Sequence, residues 1–470
     1  MQIPILNGIF TDTDSDIRVA YPVNRVPTPI PSGISNGSLK AYDGIEEKSE
    51  SSAGTSRGAI EWDGDHYRVI GSKLTSIGSD GTIIELADVE DDGLDVALDY
   101  SFDRLSIGSN KKLFYWDKIT LTEVTDPDLG DSLDHIWVDG YFMSTDGENL
   151  VVTELNDPTS INPAKYGSSE ADPDPVVALL KLINEPYAIN RFTMEVFENI
   201  GGSGFPFRRI EKAQIEKGSL GTHTCCKFLE SIAFVGGGKE ESISIFVVSN
   251  SVPVKIASRE IDLQLKNYTE DQLKNSLLES RIDIGHQFLL FHLPDKTLVY
   301  DHAASVRTGE KIWFILSSSP YADKIEQYRG RHLVWVNDKW WLGDSKTGKI
   351  GFLNPSEHSQ WGINVSWEFS TIIIFNNEMP NGILINYLEL TGLTGRNSLS
   401  DNSNILTSYS VDGEVWSTPK IKFFKRGERK KILRWYGQGM TKTWRIQRFQ
   451  GVGSSVFTPL RLDMDIETLD

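Results

Sequence analysis

Apolar residues along this chain recur in short blocks of five to eight rather than in helical stripes. Blocks such as Lys112-Leu113-Phe114-Tyr115-Trp116, Phe288-Leu289-Leu290-Phe291-His292 and Lys311-Ile312-Trp313-Phe314-Ile315-Leu316 are rich in β-branched and aromatic residues and bounded by Gly, Asp, Asn and Ser, which predicts strands. Between them lie Trp62-Asp63-Gly64-Asp65, Ser79-Asp80-Gly81, Val138-Asp139-Gly140 and Thr145-Asp146-Gly147. Asp-Gly between apolar runs suits a type I′ hairpin, whose central residues need positive φ. The hairpins return at roughly 40–50 residues, the period of a four-stranded propeller blade. No fixed Trp-Asp motif marks the blade ends, so the propeller is expected to be irregular.

Two stretches break the pattern. The run 175–183, Pro-Val-Val-Ala-Leu-Leu-Lys-Leu-Ile, reads as a short apolar helix. In 258–280, Thr269 is placed as an N-cap with Gln272 at N3, and Leu273, Leu277 and Leu278 follow at helical spacing. From about Ile363 longer strands return, interrupted by a polar loop at 395–404. The first sixty residues are rich in Pro, Ser and Gly. The expected fold is therefore mainly β: an extended N-terminal arm over 1–60, an irregular β-propeller over 61–365 with a helical insertion near 258–280, and a C-terminal β-sandwich-like domain over 366–470, with one or two short helices in all.

Charge narrows the function classes. The 470 residues carry 47 Lys+Arg against 66 Asp+Glu, a formal charge of −19, which argues against a general nucleic-acid binder. No apolar run approaches 18 residues, so no membrane insertion is expected. The two cysteines are adjacent and make no disulfide framework. The N-terminus lacks the basic and apolar regions of a signal peptide, which fits synthesis and assembly in a reducing cytoplasm.

The charge is also unevenly spread. From Lys420 to Arg448 there are 11 Lys/Arg and one acid, Glu428, so this segment is +10 and the rest of the chain −29. Its cations Lys420, Lys422, Lys425, Arg426, Arg429, Lys430, Lys431 and Arg434 interleave with Phe423, Phe424 and Trp435. The readings are a solvated hairpin, a docking surface for an acidic protein, or nucleic-acid contact. Conversely, residues 85–103 hold eight acids and no base. Of these, Glu85, Asp88, Glu90, Asp91, Asp92 and Asp95 are read as a channel or subunit-contact segment. Opposite patches on one chain suit head-to-tail self-association into a ring.

Catalytic and metal motifs are incomplete. Asp12-x-Asp14-x-Asp16 begins like a calcium loop, but Ile17 stands where Gly is required and Val23 where Glu is. His223-Thr224-Cys225-Cys226 places its two thiols on opposite faces of a strand. Gly236-Gly237-Gly238-Lys239 has Glu240 where a phosphate loop needs Ser or Thr. Ser410-x-Asp412-Gly413-x-x-Trp416 is an Asp-box turn, a folding motif. The eight histidines have no zinc-helix spacing. The expectation is no catalytic residue, no metal and no cofactor. Trp340, Trp341 and Trp361 are sugar-stacking candidates for an alternative function, a propeller-type carbohydrate- or receptor-binding protein.

The order of short segments resembles a known family. They include Tyr21-Pro22-Val23-Asn24, Gly44-Ile45, Ser56-Arg57-Gly58, Tyr67-Arg68-Val69 with Gly71-x-Lys73-Leu74, the capped helix at Tyr268-Thr269, Glu279, and His286 through His292-Leu293-Pro294. Leu298-Val299-Tyr300-Asp301, Asp412-Gly413 and Arg461-Leu462 continue it. Together they are similar to the tail hub, or nozzle, proteins of short-tailed phages, the packaged DNA stabilization protein family. The resemblance implies a structural virion tail protein with no enzyme activity: a propeller with an added β domain. It further implies a homo-hexameric ring below the head-to-tail adaptor. Such a ring continues the DNA channel without specific DNA binding, retains the packaged genome, and carries the tail needle and tailspikes or fibres. The acidic run and the Ser/Glu-rich loop at 46–56 depart from the family pattern.

Overall fold

Each short apolar block turns back on its predecessor through a tight hairpin, and in the computed structural model the chain builds antiparallel meanders. The structure describes residues 1–470 except 7, 10–21, 31–34, 156, 170–171, 250, 376–381, 396–402, 430, 454–456 and 470. The Asp12–Asp16 motif, Tyr21 and Lys430 therefore lie outside the described residues. Two units are distinguished: Lys48–Arg281 with Arg329–Phe352, and Met1–Glu47 with Ile282–Tyr328 and Leu353–Asp470.

The first of these holds five four-stranded blades. Their strands are Ser56–Trp62, Asp65–Ile70, Lys73–Ile77 and Ile83–Asp88; Ala97–Tyr100, Leu105–Ser109, Lys112–Trp116 and Leu121–Glu123; Asp134–Val138, Tyr141–Thr145, Asn149–Glu154 and Asp157–Ile161; Val176–Leu182, Glu185–Asn190, Met194–Asn199 and Phe207–Arg209; Cys225–Phe228, Ser231–Gly237, Ser244–Ser249 and Val252–Lys255. Gly330–Val336 and Lys339–Asp344 begin a further meander. Two of the four Asp-Gly turns take the expected type I′ backbone: Asp63 and Gly64 sit at φ 54° and 81°, Asp139 and Gly140 at 48° and 89°; at Asp80-Gly81 and Asp146-Gly147 only the glycine has positive φ, 95° and 101°.

The first strands of these meanders, joined by Leu277–Asp283, surround a cavity of about 480 Å3. Ala59, Ala97, Ile136, Leu180, Cys226, Glu279 and Leu333 each face it from a different strand. A first strand has no strand partner on the cavity side, so its backbone groups need other partners. Carboxylates of the preceding first strand supply them. Asp99 accepts from the Trp137 amide at 2.7 Å, Asp134 from Leu179 at 2.7 Å and Glu279 from Leu333 at 2.8 Å. Elsewhere Thr222 Oγ1 donates to the Val177 carbonyl at 2.8 Å. Apolar clusters fill the space between blades, with Leu105, Ile107 and Trp116 in one and Ile136, Met143, Leu179 and Phe197 in another.

Two local expectations are overturned. Residues 175–183 are not a helix: Val176–Leu182 is a first strand, registered Leu180 against Tyr187. Because the blade is covered on both faces, its apolar residues run on without alternation, and a short run of that kind has no period to separate strand from helix. The insertion does hold helices, Arg259–Leu265 and Glu270–Lys274. Thr269 accepts from the Gln272 amide at 3.3 Å, and Gln272 accepts from the Thr269 amide at 2.9 Å, which closes the expected capping box. Leu277 and Leu278, however, begin a strand. A third helix, His302–Thr308, is capped by Asp301 and ended by Gly309 at φ 75°.

In the other unit two sheets pack face to face. One has the order Gln2–Ile3, Thr458–Thr468, Ile383–Leu393, Leu433–Thr441; the other runs Ser366–Ser370, Trp444–Val452, Ser403–Ser410, Lys420–Phe424. Phe369, Ile385, Leu388, Ile405, Trp435, Phe449 and Leu462 form their shared core. Arg25 is buried there, donating to the Phe457 carbonyl at 2.6 Å and lying 4.3 Å from the Trp367 ring centroid.

Asp134 gives the blades a pH dependence. Burial pushes its carboxyl up to about 7, against the amides of Leu179 and His135 that favour the charged form. The folded state thus binds a proton that the unfolded chain has released. This contribution to stability is complete below the ordinary carboxylate range and is lost as pH rises through 7. Urea unfolding of the wild type and of Asp134→Asn at pH 5 to 8 should show a smaller fall in stability with pH in the variant.

Candidate functional site

The acidic run is not an open patch, because the chain supplies cations to it. Buried Arg57 is the organising group. Its Nε donates to the Leu94 carbonyl at 2.6 Å, and its Nη1 to the carbonyls of Glu90 at 2.7 Å and Gly71 at 3.1 Å. Its Nη2 donates to Asp92 at 2.6 Å and to Ser109 Oγ at 3.1 Å. Asp91 lies 3.4 Å from its Nε. Asp88 pairs with Lys73 at 2.8 Å and Glu90 with Lys112 at 2.6 Å. Asp95 meets Arg331 at 2.7 Å and His332 at 3.2 Å. Burial opposes ionisation of Asp95, but His332 and Arg331 outweigh it and hold the carboxyl well below the usual range. Glu85 is exposed on Ile83–Asp88 and makes no ion pair among the described residues.

The basic segment is the opposite case. Lys420–Phe424 is the edge strand of its sheet, with Ile421 and Phe423 exposed and Phe424 in the core. Lys425, Arg426, Arg429 and Lys431 are exposed in the segment that follows this strand, Arg426 and Arg429 on turns. Lys420 donates to the carbonyls of Tyr436 and Gly437, Lys431 pairs with Glu428 at 3.1 Å, and Arg434 pairs with Glu389. Lys422, Arg426 and Arg429 make no ion pair among the described residues. Cations along an unpaired edge also discourage indiscriminate strand pairing. The structure gathers most of the named cations onto one edge and the turn that follows it.

The sugar-stacking candidates divide. Trp341 and Trp361 are buried, Trp341 packing against Phe352, while Trp340 is half-buried beside Trp335. Trp335 is the exposed indole of the group, and period-two alternation on Gly330–Val336 is the signal that would have singled it out. Cys225 is buried in a first strand and Cys226 half-buried. No group of three or more His, Cys, Asp or Glu able to hold a metal ion occurs among the described residues. The Asp-box closes as a turn: Asp412 accepts from the amides of Glu414 at 2.9 Å and Val415 at 2.8 Å, and the Arg448 guanidinium lies 3.9 Å from the Trp416 ring centroid.

Comparison with known proteins follows this architecture in two parts. The family described as the β-propeller of bacteriophage P22 Gp10 matches residues 1–358, and that described as its β-sandwich matches 366–467. The chain belongs to the P22 Gp10 family. A curated relative, "Tail hub protein gp10" of Salmonella phage P22, is 26% identical over 383 residues, covering 77% of this chain and 78% of its own. Among solved structures, the N-terminal domain of Nup159 covers 70% of the chain at 9% identity and a TM-score of 0.41. The computationally designed Ika8 protein covers 75% at 12% identity and a TM-score of 0.39.

A Gp10-family chain is a structural component of the phage tail hub and resides in the virion tail. No helix among the described residues is long and apolar enough to cross a membrane. In this member the Ser56-Arg57-Gly58 segment serves a physical purpose. Arg57 anchors the acidic loop, and Gly58 admits Val96, whose Cγ2 would lie 2.5 Å from any Cβ there. Replacing Arg57 by Ala leaves Asp91 and Asp92 without their cation and removes the guanidinium donor from the carbonyls of Gly71, Glu90 and Leu94, of which Glu90 keeps Ser109 Oγ at 3.3 Å. Because Asp91 and Asp92 are partly exposed and can rehydrate, the loss comes chiefly from the carbonyls, about 1–3 kcal/mol of stability, read by denaturant unfolding. Lys, a single point donor, should recover little of it.

Proposed function

We propose that six copies of this chain form the ring-shaped hub, or nozzle, below the head-to-tail adaptor. The ring continues the DNA channel, retains the packaged genome, and anchors the tail needle and the tailspikes or fibres. In this reading it works without catalysis and without a cofactor. The observation that carries it is the Gp10-family match over both the propeller and the sandwich, together with the tail-hub role of the P22 relative.

Electrostatics supports the channel role. Six chains of charge −19 carry roughly −110 together, a field that repels the phosphate backbone and lets duplex slide without adhering. Glu85, Asp88, Glu90, Asp91, Asp92 and Asp95 contribute to that sum, but most are held by cations of their own chain, so the net charge rather than this one run sets the lumen's sign. The basic edge, Lys420 to Arg434, then meets protein and not the passing DNA.

Phage particles made without this chain test the reading. The expected particles package DNA, lack needle and spikes, and lose their genome on storage. Retention of DNA at the wild-type level, measured as nuclease-resistant genome per capsid, would overturn it. Salt provides a second readout: purified chain should show no retention of duplex DNA at 150 mM salt in a gel-shift assay.

A further inference from the structure

Five large apolar side chains stand on hairpin turns of the second, third and fourth blades. Phe102, Ile119 and Ile183 are 92%, 82% and 93% exposed, and Leu155 and Ile200 are about half exposed. Each turn follows the first or the third strand of its blade, and in an antiparallel meander these two turns lie at the same end. The starts of the first strands instead face a cavity of about 800 Å3 lined by Leu94, Leu133, Pro175, Gly221 and Ser276. Contacts between turns agree. The Phe102 ring meets Trp137 edge-on at 5.2 Å, and Asn199 donates to Asp139 at 3.2 Å. Leu155 lies so close to Gly140 that a Cβ there would be 2.9 Å from its Cδ1. The five therefore form one arc on one face.

Ile183 is the telling member. It occupies φ 55°, the left-handed region, where a β-branched side chain is an outlier. Corresponding turns use Asp63-Gly64, Asp139-Gly140 and Asn337-Asp338, which reach that region readily, or Leu229-Glu230, which is not β-branched. A strained isoleucine almost wholly in solvent adds nothing to the fold. The arc is also acidic: Arg104 is taken by Asp103 and Arg208 by Glu198, both at 2.6 Å, and Lys118 by Asp63, while Asp117 and Glu185 make no ion pair among the described residues.

The C-terminal edge has the opposite character. Ile421, Phe423, Ile432 and Tyr436 are exposed there among Lys422, Arg426 and Arg429. We propose that the apolar, acidic arc of one copy receives the apolar, basic edge of the C-terminal sandwich of a second copy. The contact joins two different surfaces and so repeats from copy to copy, as a ring requires. It rests on the ring reading above and names the surfaces that ring would use.

Sedimentation velocity of the full chain provides the test. Self-association is expected at low ionic strength and should weaken in 1 M salt. Ile183→Asn should raise the thermal midpoint, by relieving the turn, and weaken association about tenfold or more. Arg426→Glu with Arg429→Glu should weaken association without moving the midpoint. Each variant keeps one intact surface, so an equimolar mixture should form dimers and nothing larger. A chain that stays monomeric at 100 μM and low salt overturns the proposal, as does association that neither variant weakens. In both outcomes the hub reading stands or falls separately, on whether the chain is found in the tail of purified particles.

Discussion

The open inner edge of each blade governs this fold. A strand at the centre of a propeller has a neighbour strand on one side only, and its remaining amides face a narrow cavity instead of a second strand. This chain answers with carboxylates. Asp99, Asp134 and Glu279 each reach forward to an amide of the next first strand. The same contact that satisfies an amide also fixes the angle between neighbours, so blade spacing and backbone satisfaction are one requirement. Carboxylates in such a place carry a cost, visible in the raised pKa of Asp134 and offset by two amide donors. That explains why acids appear inside apolar runs that otherwise read as uninterrupted core.

Much of this was legible in residue order, and the parts that were not share a cause. Asp63-Gly64 and Asp139-Gly140 announce their hairpins because positive φ selects those residues. The Thr269–Gln272 box is equally local. The strand Val176–Leu182 was hidden because its turn uses Ile183-Asn184 instead of glycine, and because a strand buried on both faces has no alternation. His302–Thr308 carried Asp301 and Gly309 as its cap and stop, but sat among strand signals strong enough to mask one short helix. Alternation on Gly330–Val336 separates Trp335 from its neighbours, but that Trp335 is exposed while Trp341 is buried depends on which face of the blade meets its neighbour.

Charge shows the difference between composition and placement. As a string, residues 85–103 are the most acidic part of the chain. In three dimensions Arg57, Lys73, Lys112, Arg331 and His332 converge on them, several from far along the sequence. Linear charge runs thus overstate the acidic patch. They describe the basic edge better, since Lys422, Arg426 and Arg429 make no ion pair among the described residues. What distinguishes the two is the blade: a meander brings distant strands beside a loop, whereas Lys420–Phe424 has a hydrogen-bonded neighbour strand on one side only.

The pairing of Gln2 and Ile3 with Asp463 and Leu462 ties the earliest residues of the chain to a strand made more than 450 positions later. The Met1 ammonium adds a hydrogen bond to the Met464 carbonyl at 2.8 Å. During synthesis, the first strand must wait, unpaired, until Thr458–Thr468 leaves the ribosome. A chain stopped before Thr458 lacks the strand that lies between Gln2–Ile3 and Ile383–Leu393. Closure of that sheet is thereby coupled to translation through Thr458–Thr468, whose arrival is the last step that its strand order requires.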